Sequence, residues 1–100
     1  MVKHIVMWRL KDATDFGNKE QTAKELKARL EALKEKIEEI VSIEAGINFN
    51  SSDMAYDLVL YSEFKNKQDL DTYQNHPEHL KVADIIKANV ASRAVVDYEV

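Results

Sequence analysis

The chain has no cysteine among its 100 residues, which excludes a disulfide framework and any thiolate metal site. Glycine occurs twice and proline once, so no stretch has the composition of a flexible or proline-rich linker. A chain of this length is long enough for one small hydrophobic core. We therefore predict a single domain over residues 1–100 that is held together by apolar packing.

The sequence also lacks a long apolar segment and an excess of positive charge. No run approaches the ~20 apolar residues that a membrane-spanning helix needs, and no signal-peptide pattern opens the sequence. Fourteen Lys and Arg stand against 18 Asp and Glu, and the resulting formal charge of −4 would repel a phosphate backbone. We expect a soluble, cytoplasmic protein that binds neither nucleic acid nor a membrane.

Hydrophobic periodicity predicts four strands and two helical regions. The strongest signal lies in residues 19–40, where apolar positions recur at steps of three and four between Lys and Glu, as in an amphipathic helix. Asn18 followed by Gln21 predicts an N-cap with a capping box at its start. The predicted strands are residues 2–10, 41–49, 56–64 and 93–100, and a second helical region begins at Asn66 and breaks at Pro77.

The order β-α-β-β-α-β is typical of an α+β, ferredoxin-like protomer with a four-stranded antiparallel sheet and helices on one face. Alternate residues of three strands would leave an apolar patch on the other face, too large for a typical soluble monomer. Two such sheets packed together would cover this patch, which predicts a homodimer. For residues 41–49, parity alone does not decide which side faces the helices. The patch consists of Ile5, Met7, Val59, Tyr61, Val96 and Tyr98.

Residues 73–80 gather two of the three histidines and the only proline. Pro77 ends one helix and fits the first turn of the next, so His76 is expected to act as an N-cap or hinge residue. Histidine has a pKa of roughly 6.5, which makes His79 a candidate for proton transfer, with Tyr73 beside it. The alternatives are a partly buried His79 bonded to a backbone carbonyl and a Tyr73 that serves only as a core aromatic.

The sequence resembles the stress-responsive A/B barrel family, also called the dimeric α/β barrel (Dabb) family, over essentially its whole length. The resemblance lies in residues 2–11, in the His-Pro-x-His core of residues 76–79, and in the ending of residues 96–98. It implies a ferredoxin-like protomer, two of which pair sheet to sheet into a homodimeric α/β barrel.

The resemblance extends to plant polyketide cyclases of the olivetolic acid type. These enzymes hold a linear poly-β-ketone between sheet and helices, and a His and Tyr pair promotes an aldol condensation without a cofactor. The catalytic residues implied here are His79 and Tyr73. Leu58 stands where the cyclases have another pocket histidine, which favours a different ligand. The pocket predicted around the catalytic pair is lined by His4, Trp8, Leu30, Leu58 and Asp97.

A metal site has little support in the sequence. His76 and His79 would supply only two ligands, and no third is placed nearby. Some relatives bind a cation at carbonyls that close the first helix, here near residues 37–40, but no side chain requires it. We predict no metal and no cofactor. Three functions stay open: binding of a small apolar or polyketide-like molecule, a cofactor-free aldol cyclase or monooxygenase with His79 as base, and a structural stress protein with a filled interior.

Overall fold

A four-stranded antiparallel sheet with helices on one face forms the fold in the computed structural model, which describes all residues from 1 to 100. The strand order β4-β5-β1-β6 confirms the predicted ferredoxin-like topology. The elements are β1 (Val2–Leu10), a short hairpin of β2 (Ala13–Thr14) and β3 (Gly17–Asn18), α1 (Lys19–Glu31), a 3₁₀ turn (Ala32–Glu35), β4 (Ser42–Ile47), β5 (Leu58–Phe64), α2 (Lys67–Asn75), α3 (Pro77–Asn89) and β6 (Val90–Glu99).

Alternation along the central strand β1 separates a buried face from an open one. Val6 and Trp8 are 2% and 4% exposed, whereas Met7 between them is 37% exposed on the other side. Seventeen buried apolar residues form one core between the sheet and the helices. Burying this apolar surface is the main term that stabilises the fold. None of the helices has the length and apolar character that crossing a bilayer would take.

The first helix begins as predicted but ends early. The Asn18 side chain accepts a hydrogen bond from the Gln21 backbone N–H at 2.9 Å, and the Gln21 side chain accepts one from the Asn18 N–H at 3.0 Å. Helix α1 then ends at Glu31 and tightens into the 3₁₀ turn, so the predicted extension to residue 40 is wrong. The apolar spacing continues beyond α1 because it reflects burial in the core and not helical structure. The apolar residues after the helix that remain in the core are Leu33, Ile37 and Ile40.

The pairing of β4 with β5 shows which face of β4 lies toward the helices, which the alternation of the sequence did not decide. Ala45 lies opposite Leu60 on β5, so the alternating apolar residues of β4 share the helix side of the sheet. The strand spans only Ser42–Ile47, and Phe49 lies beyond it, fully exposed. Strand β5 likewise begins at Leu58, two residues later than predicted, because the connection between the two strands is longer than a tight turn.

Strand β6 begins at Val90, three residues before its predicted start. A bulge explains the difference: Arg9 lies opposite Ser92 but Leu10 lies opposite Val90, which leaves Ala91 as an extra residue. The simple alternation of the sequence is interrupted there. Beyond the bulge the pairing is regular, so side chains of β6 that lie opposite Val6 and Trp8 face the helices.

Candidate functional site

The break between α2 and α3 brings Tyr73 and His79 together. His76 stands between the helices, where its N–H donates to the Tyr73 carbonyl at 3.1 Å and its Nδ1 accepts from the Glu78 N–H at 3.1 Å. Pro77 occupies the first turn of α3, where its missing N–H costs nothing. As a result the rings of Tyr73 and His79 pack with their centroids 4.4 Å apart.

The hydrogen bond of His79 fixes which of its nitrogens is free. Its Nδ1 lies 2.9 Å from the backbone carbonyl oxygen of Gln74. Because a carbonyl oxygen only accepts, Nδ1 must donate, and the neutral ring therefore keeps an unprotonated Nε2. Burial lowers the pKa of His79, and the positive charge of Arg93 acts in the same direction. His79 is thus held as a neutral base.

Tyr73 is fully buried, and its hydroxyl has no hydrogen-bond partner. The ring packs 4.9 Å from Phe64 and 6.2 Å from His4, measured between centroids. Burial raises the pKa of Tyr73, so the side chain is a neutral phenol with a proton to donate. A buried hydroxyl without a partner costs about 1–3 kcal/mol, and a ligand oxygen would relieve that cost.

A second histidine, His4, is held from behind by a carboxylate. His4 and Asp97 lie opposite each other on β1 and β6, and the Nδ1 of His4 is hydrogen-bonded to Oδ1 of Asp97. The imidazole is 3% exposed and lines the same cavity as Tyr73 and His79. Asp97 does not line it. Asp97 therefore orients the His4 ring and acts on the cavity only through it.

A cavity of about 460 Å³ lies between α3 and the helix side of β1 and β6. Its volume falls within the roughly 300–1,000 Å³ that is usual for small-molecule sites. Five predicted site residues lie together along this cavity: His4, Trp8, Leu30, Tyr73 and His79.

Leu58, predicted to line the pocket, does not line this cavity. It pairs with Trp8 on one side and Ile47 on the other, and it borders a separate depression on the β4–β5 side of the sheet. The leucine of β5 that lines the cavity is Leu60, which lies opposite Val6. Residue parity gave the correct face of β5 but could not say how far along the strand the cavity extends.

The sequence reading missed most of the wall contributed by α3 and β6. Val82, Ala83 and Ile86 follow His79 at helical steps of three, four and seven, so the spacing places them on its face of the helix. Lys87 and Arg93 also line the cavity. The alternation of residues 93–100 puts Arg93 on the same face of β6 as Asp97, but it does not show how far along the strand the cavity extends. No group of three or more His, Asp or Glu side chains is arranged to hold a metal ion.

The sequence profile of the stress responsive A/B barrel domain (Dabb) matches residues 2–100. A dimeric protein of unknown function with a ferredoxin-like fold from Bacteroides fragilis is 40% identical, with 99% of this chain and 95% of that chain covered and a TM-score of 0.85. No curated protein sequence matches the chain.

Two more distant structures share the fold. An Arabidopsis thaliana protein is 24% identical, with 100% of this chain and 95% of that chain covered and a TM-score of 0.82. A hydroxynitrile lyase from Passiflora edulis is 17% identical, with 99% of this chain and 92% of that chain covered and a TM-score of 0.84. At these identities the similarity concerns the fold alone.

Proposed function

Because the chain belongs to the stress-responsive A/B barrel (Dabb) family, we propose that it is a homodimer in which each protomer binds a small, mainly apolar molecule in the cavity beside Tyr73 and His79. The observation that carries the proposal is that Tyr73, which lines the cavity, has a buried hydroxyl without a hydrogen-bond partner. A ligand carbonyl or hydroxyl that accepts this proton would remove the cost of burying it. The remaining wall is largely apolar and would bind the body of the ligand by excluding water.

Two observations support the dimer. The Bacteroides fragilis protein that is 40% identical over nearly the whole chain is described as dimeric. On the open face of the sheet, Val96 and Tyr98 are 52% and 45% exposed beside Met7. A continuous apolar surface of this kind on one face of a sheet is typical of a protein interface. Pairing two such faces would close the sheets into a barrel.

A cofactor-free enzyme is the second candidate, and the free Nε2 of His79 favours it. In this reaction Nε2 removes a proton from a carbon next to a carbonyl, and the Tyr73 hydroxyl donates a hydrogen bond to the enolate oxygen that forms. The Passiflora edulis lyase has the same fold, but a fold alone does not transfer an activity. A structural protein with a filled interior has less support, because the cavity reaches both residues.

The binding proposal and the enzyme proposal are separated by one probe, benzoylacetone, whose acidic carbon lies between two carbonyls. Calorimetric titration measures its binding, and proton NMR in D₂O measures exchange of its α-protons. We expect the wild type to bind the probe and, if His79 is the base, to accelerate exchange by about 10² to 10⁴-fold. The accelerated rate should fall only at a pH below the ordinary titration range of histidine, because burial lowers the pKa of His79 and protonation then removes the Nε2 lone pair.

The matched variants are His79→Gln and His76→Asn. His79→Gln removes the base and should abolish the accelerated exchange while binding persists. His76→Asn alters a neighbouring histidine whose contacts are with the helix backbone, and its Asn side chain can keep the cap. Exchange at wild-type rates in His79→Gln would eliminate His79 as the base. Absence of binding by the wild type to benzoylacetone, a panel of poly-β-ketones and quinols would contradict the ligand-binding proposal itself.

A further inference from the structure

The cavity has an uneven distribution of charge. Its only fully charged lining residues are Lys87, near the end of α3, and Arg93, on β6. Both residues are exposed, so their charged groups lie where the cavity meets solvent. No Asp or Glu lines the cavity. One opening of an apolar cavity is therefore edged by two cations, in a chain whose net charge is −4.

Neither cation is neutralised within the protein. Lys87 and Arg93 take part in no ion pair. Asp84 precedes Lys87 by one helical turn on α3 but does not approach it within ion-pair distance. On the strand side, Asp97 shares the helix-facing side of β6 with Arg93, but its carboxylate is engaged by His4. The positive charge at this opening is thus available to a ligand.

Arg93 and Lys87 belong to different walls of the cavity. Arg93 lies opposite Trp8 across β1 and β6, so it shares the helix-facing side of the sheet with the indole that forms part of the cavity wall. Lys87 follows Val82, Ala83 and Ile86 on α3, which form the apolar wall opposite the sheet. The two cations therefore lie on different walls of the cavity, one on the helix and one on the strand.

We propose that the natural ligand is an amphipathic organic anion, with a carboxylate held by Lys87 and Arg93 at the opening and an apolar body that extends inward toward Tyr73 and His79. This inference rests on the proposed function and names the chemical class of its ligand. Arginine is suited to this role because its planar guanidinium matches the two oxygens of a carboxylate. The apolar body is bound along Trp8 and Ile86, where no charge competes for it.

The charge requirement is tested with three eight-carbon probes that differ only in their head group: octanoate, 1-octanol and octylammonium. Titration of the wild-type protein by calorimetry should give the tightest binding for octanoate, about tenfold tighter than 1-octanol, and the weakest for octylammonium. A tenfold ratio corresponds to about 1.4 kcal/mol, which two partly exposed charge contacts can supply. Added salt should weaken octanoate binding and leave 1-octanol binding unchanged, because salt screens exposed charges.

Three charge-removing variants at the cavity and one control variant elsewhere locate the effect. Arg93→Gln and Lys87→Gln should each weaken octanoate binding about threefold and leave 1-octanol binding unchanged, and the double variant should bind the two probes equally. Lys65→Gln is the matched control, since Lys65 is an exposed cation that forms no ion pair and does not line this cavity. It changes the net charge by the same amount and should have no effect.

The outcomes distinguish this inference from the proposed function on which it rests. If the wild type binds octanoate and 1-octanol equally, or if Lys65→Gln weakens octanoate binding as much as Arg93→Gln does, the anion inference is overturned while the cavity remains a binding site. If none of the three probes binds, the anion inference fails, and the binding proposal fails with it only if benzoylacetone does not bind either. Loss of the octanoate preference only in the cavity variants would support the carboxylate site.

Discussion

Tyr73 makes three aromatic contacts, with His4, Phe64 and His79, but no hydrogen bond through its hydroxyl. Core positions that are completely enclosed usually hold side chains without polar atoms or with satisfied ones. A buried phenol without a hydrogen-bond partner therefore lowers the stability of the fold, and groups that lower stability in this way are concentrated at functional sites. The proposed function supplies the missing partner of this hydroxyl, an oxygen of the ligand.

Replacing Tyr73 by Phe should therefore separate stability from binding. We expect Tyr73→Phe to raise the free energy of unfolding of the ligand-free protein by about 1 kcal/mol, because it removes an unpaired buried hydroxyl. The same change should weaken benzoylacetone binding. Urea unfolding measures the first effect and calorimetric titration the second.

Tyr61→Phe is the matched control, because the Tyr61 hydroxyl donates to Glu63 at 3.1 Å on the open face of the sheet. It should not stabilise the protein and should leave binding unchanged. Should Tyr73→Phe lose stability instead, the hydroxyl of Tyr73 must have a partner within the protein, and its role as a ligand donor would be in doubt.

The proximity of His79 and Tyr73 could be predicted from the sequence because it depends on a local signal, the helix break at Pro77. Their chemical roles stay predictions. A bond from His79 to a backbone carbonyl was one of the alternatives that the sequence left open, but neither of the two hydrogen bonds that orient the histidines could be assigned to its partner residue. The partner of His79 is a backbone carbonyl, that of Gln74, and the pairing of His4 with Asp97 depends on the register of strands 93 residues apart in the chain. Neither leaves a pattern in side-chain types.

The junction of α2 and α3 is the element on which the site depends. His76 caps α3 through its side chain, and its carbonyl accepts from the Leu80 N–H at 2.9 Å. Tyr73 and His79 lie on either side of it, so the close contact of their tilted rings requires the angle between the helices to be fixed. Asn66 caps the far end of α2, where its side chain accepts from the Asp69 N–H at 2.8 Å.

Removing either cap should cost similar stability but affect the site differently. We expect His76→Ala and Asn66→Ala each to cost about 1 kcal/mol, or a fall in melting temperature of about 4–8 °C. Only His76→Ala should also weaken benzoylacetone binding, because it alone loosens the junction. Calorimetric melting and titration of both variants test this. Equal loss of binding in both variants would show that general destabilisation, and not the junction, governs the site.

Element types were better predicted than element ends. The N-caps at Asn18 and His76, the start of α2 at Asn66 and the proline break were correct because each depends on residues within one helical turn. The end of α1 was wrong because no glycine or proline marks it, and the apolar spacing continues into the 3₁₀ turn and beyond. The early start of β6 was missed because a bulge depends on pairing with β1. The ends of helices and strands that are determined by tertiary contacts cannot be predicted from the neighbouring sequence.

The open face of the sheet combines apolar residues with one internally satisfied charge cluster. The carboxylate of Glu63 accepts hydrogen bonds from Lys3, from the Ser42 hydroxyl at 2.6 Å and from the Tyr61 hydroxyl at 3.1 Å. The contact with Lys3 is the main cause that lowers the pKa of Glu63 to about 2. Because its partners lie in the same protomer, this charge can be covered in a dimer without being left unpaired.

Adjacent valines on β6 provide a test of the dimer. Val95 and Val96 are 49% and 52% exposed but point to opposite faces of the sheet, since Val95 lies opposite Val6 and Val96 opposite Ile5. We expect Val96→Asp to yield monomers at micromolar concentration, because it places a charge in the paired sheets. Val95→Asp should remain dimeric. Sedimentation velocity distinguishes these results, and a monomeric wild type would contradict the homodimer.

The bulge at Ala91 determines where β6 can lose a residue without exchanging its two faces. A strand alternates with a period of two, so adding or deleting one residue elsewhere in β6 would exchange its two faces. Deleting Ala91 would instead leave Val90 opposite Leu10 and Arg93 opposite Trp8, as they are now. The strand thus contains one position at which a single-residue deletion keeps the remaining residues on their present faces, with the loss of Ala91 alone from the cavity wall.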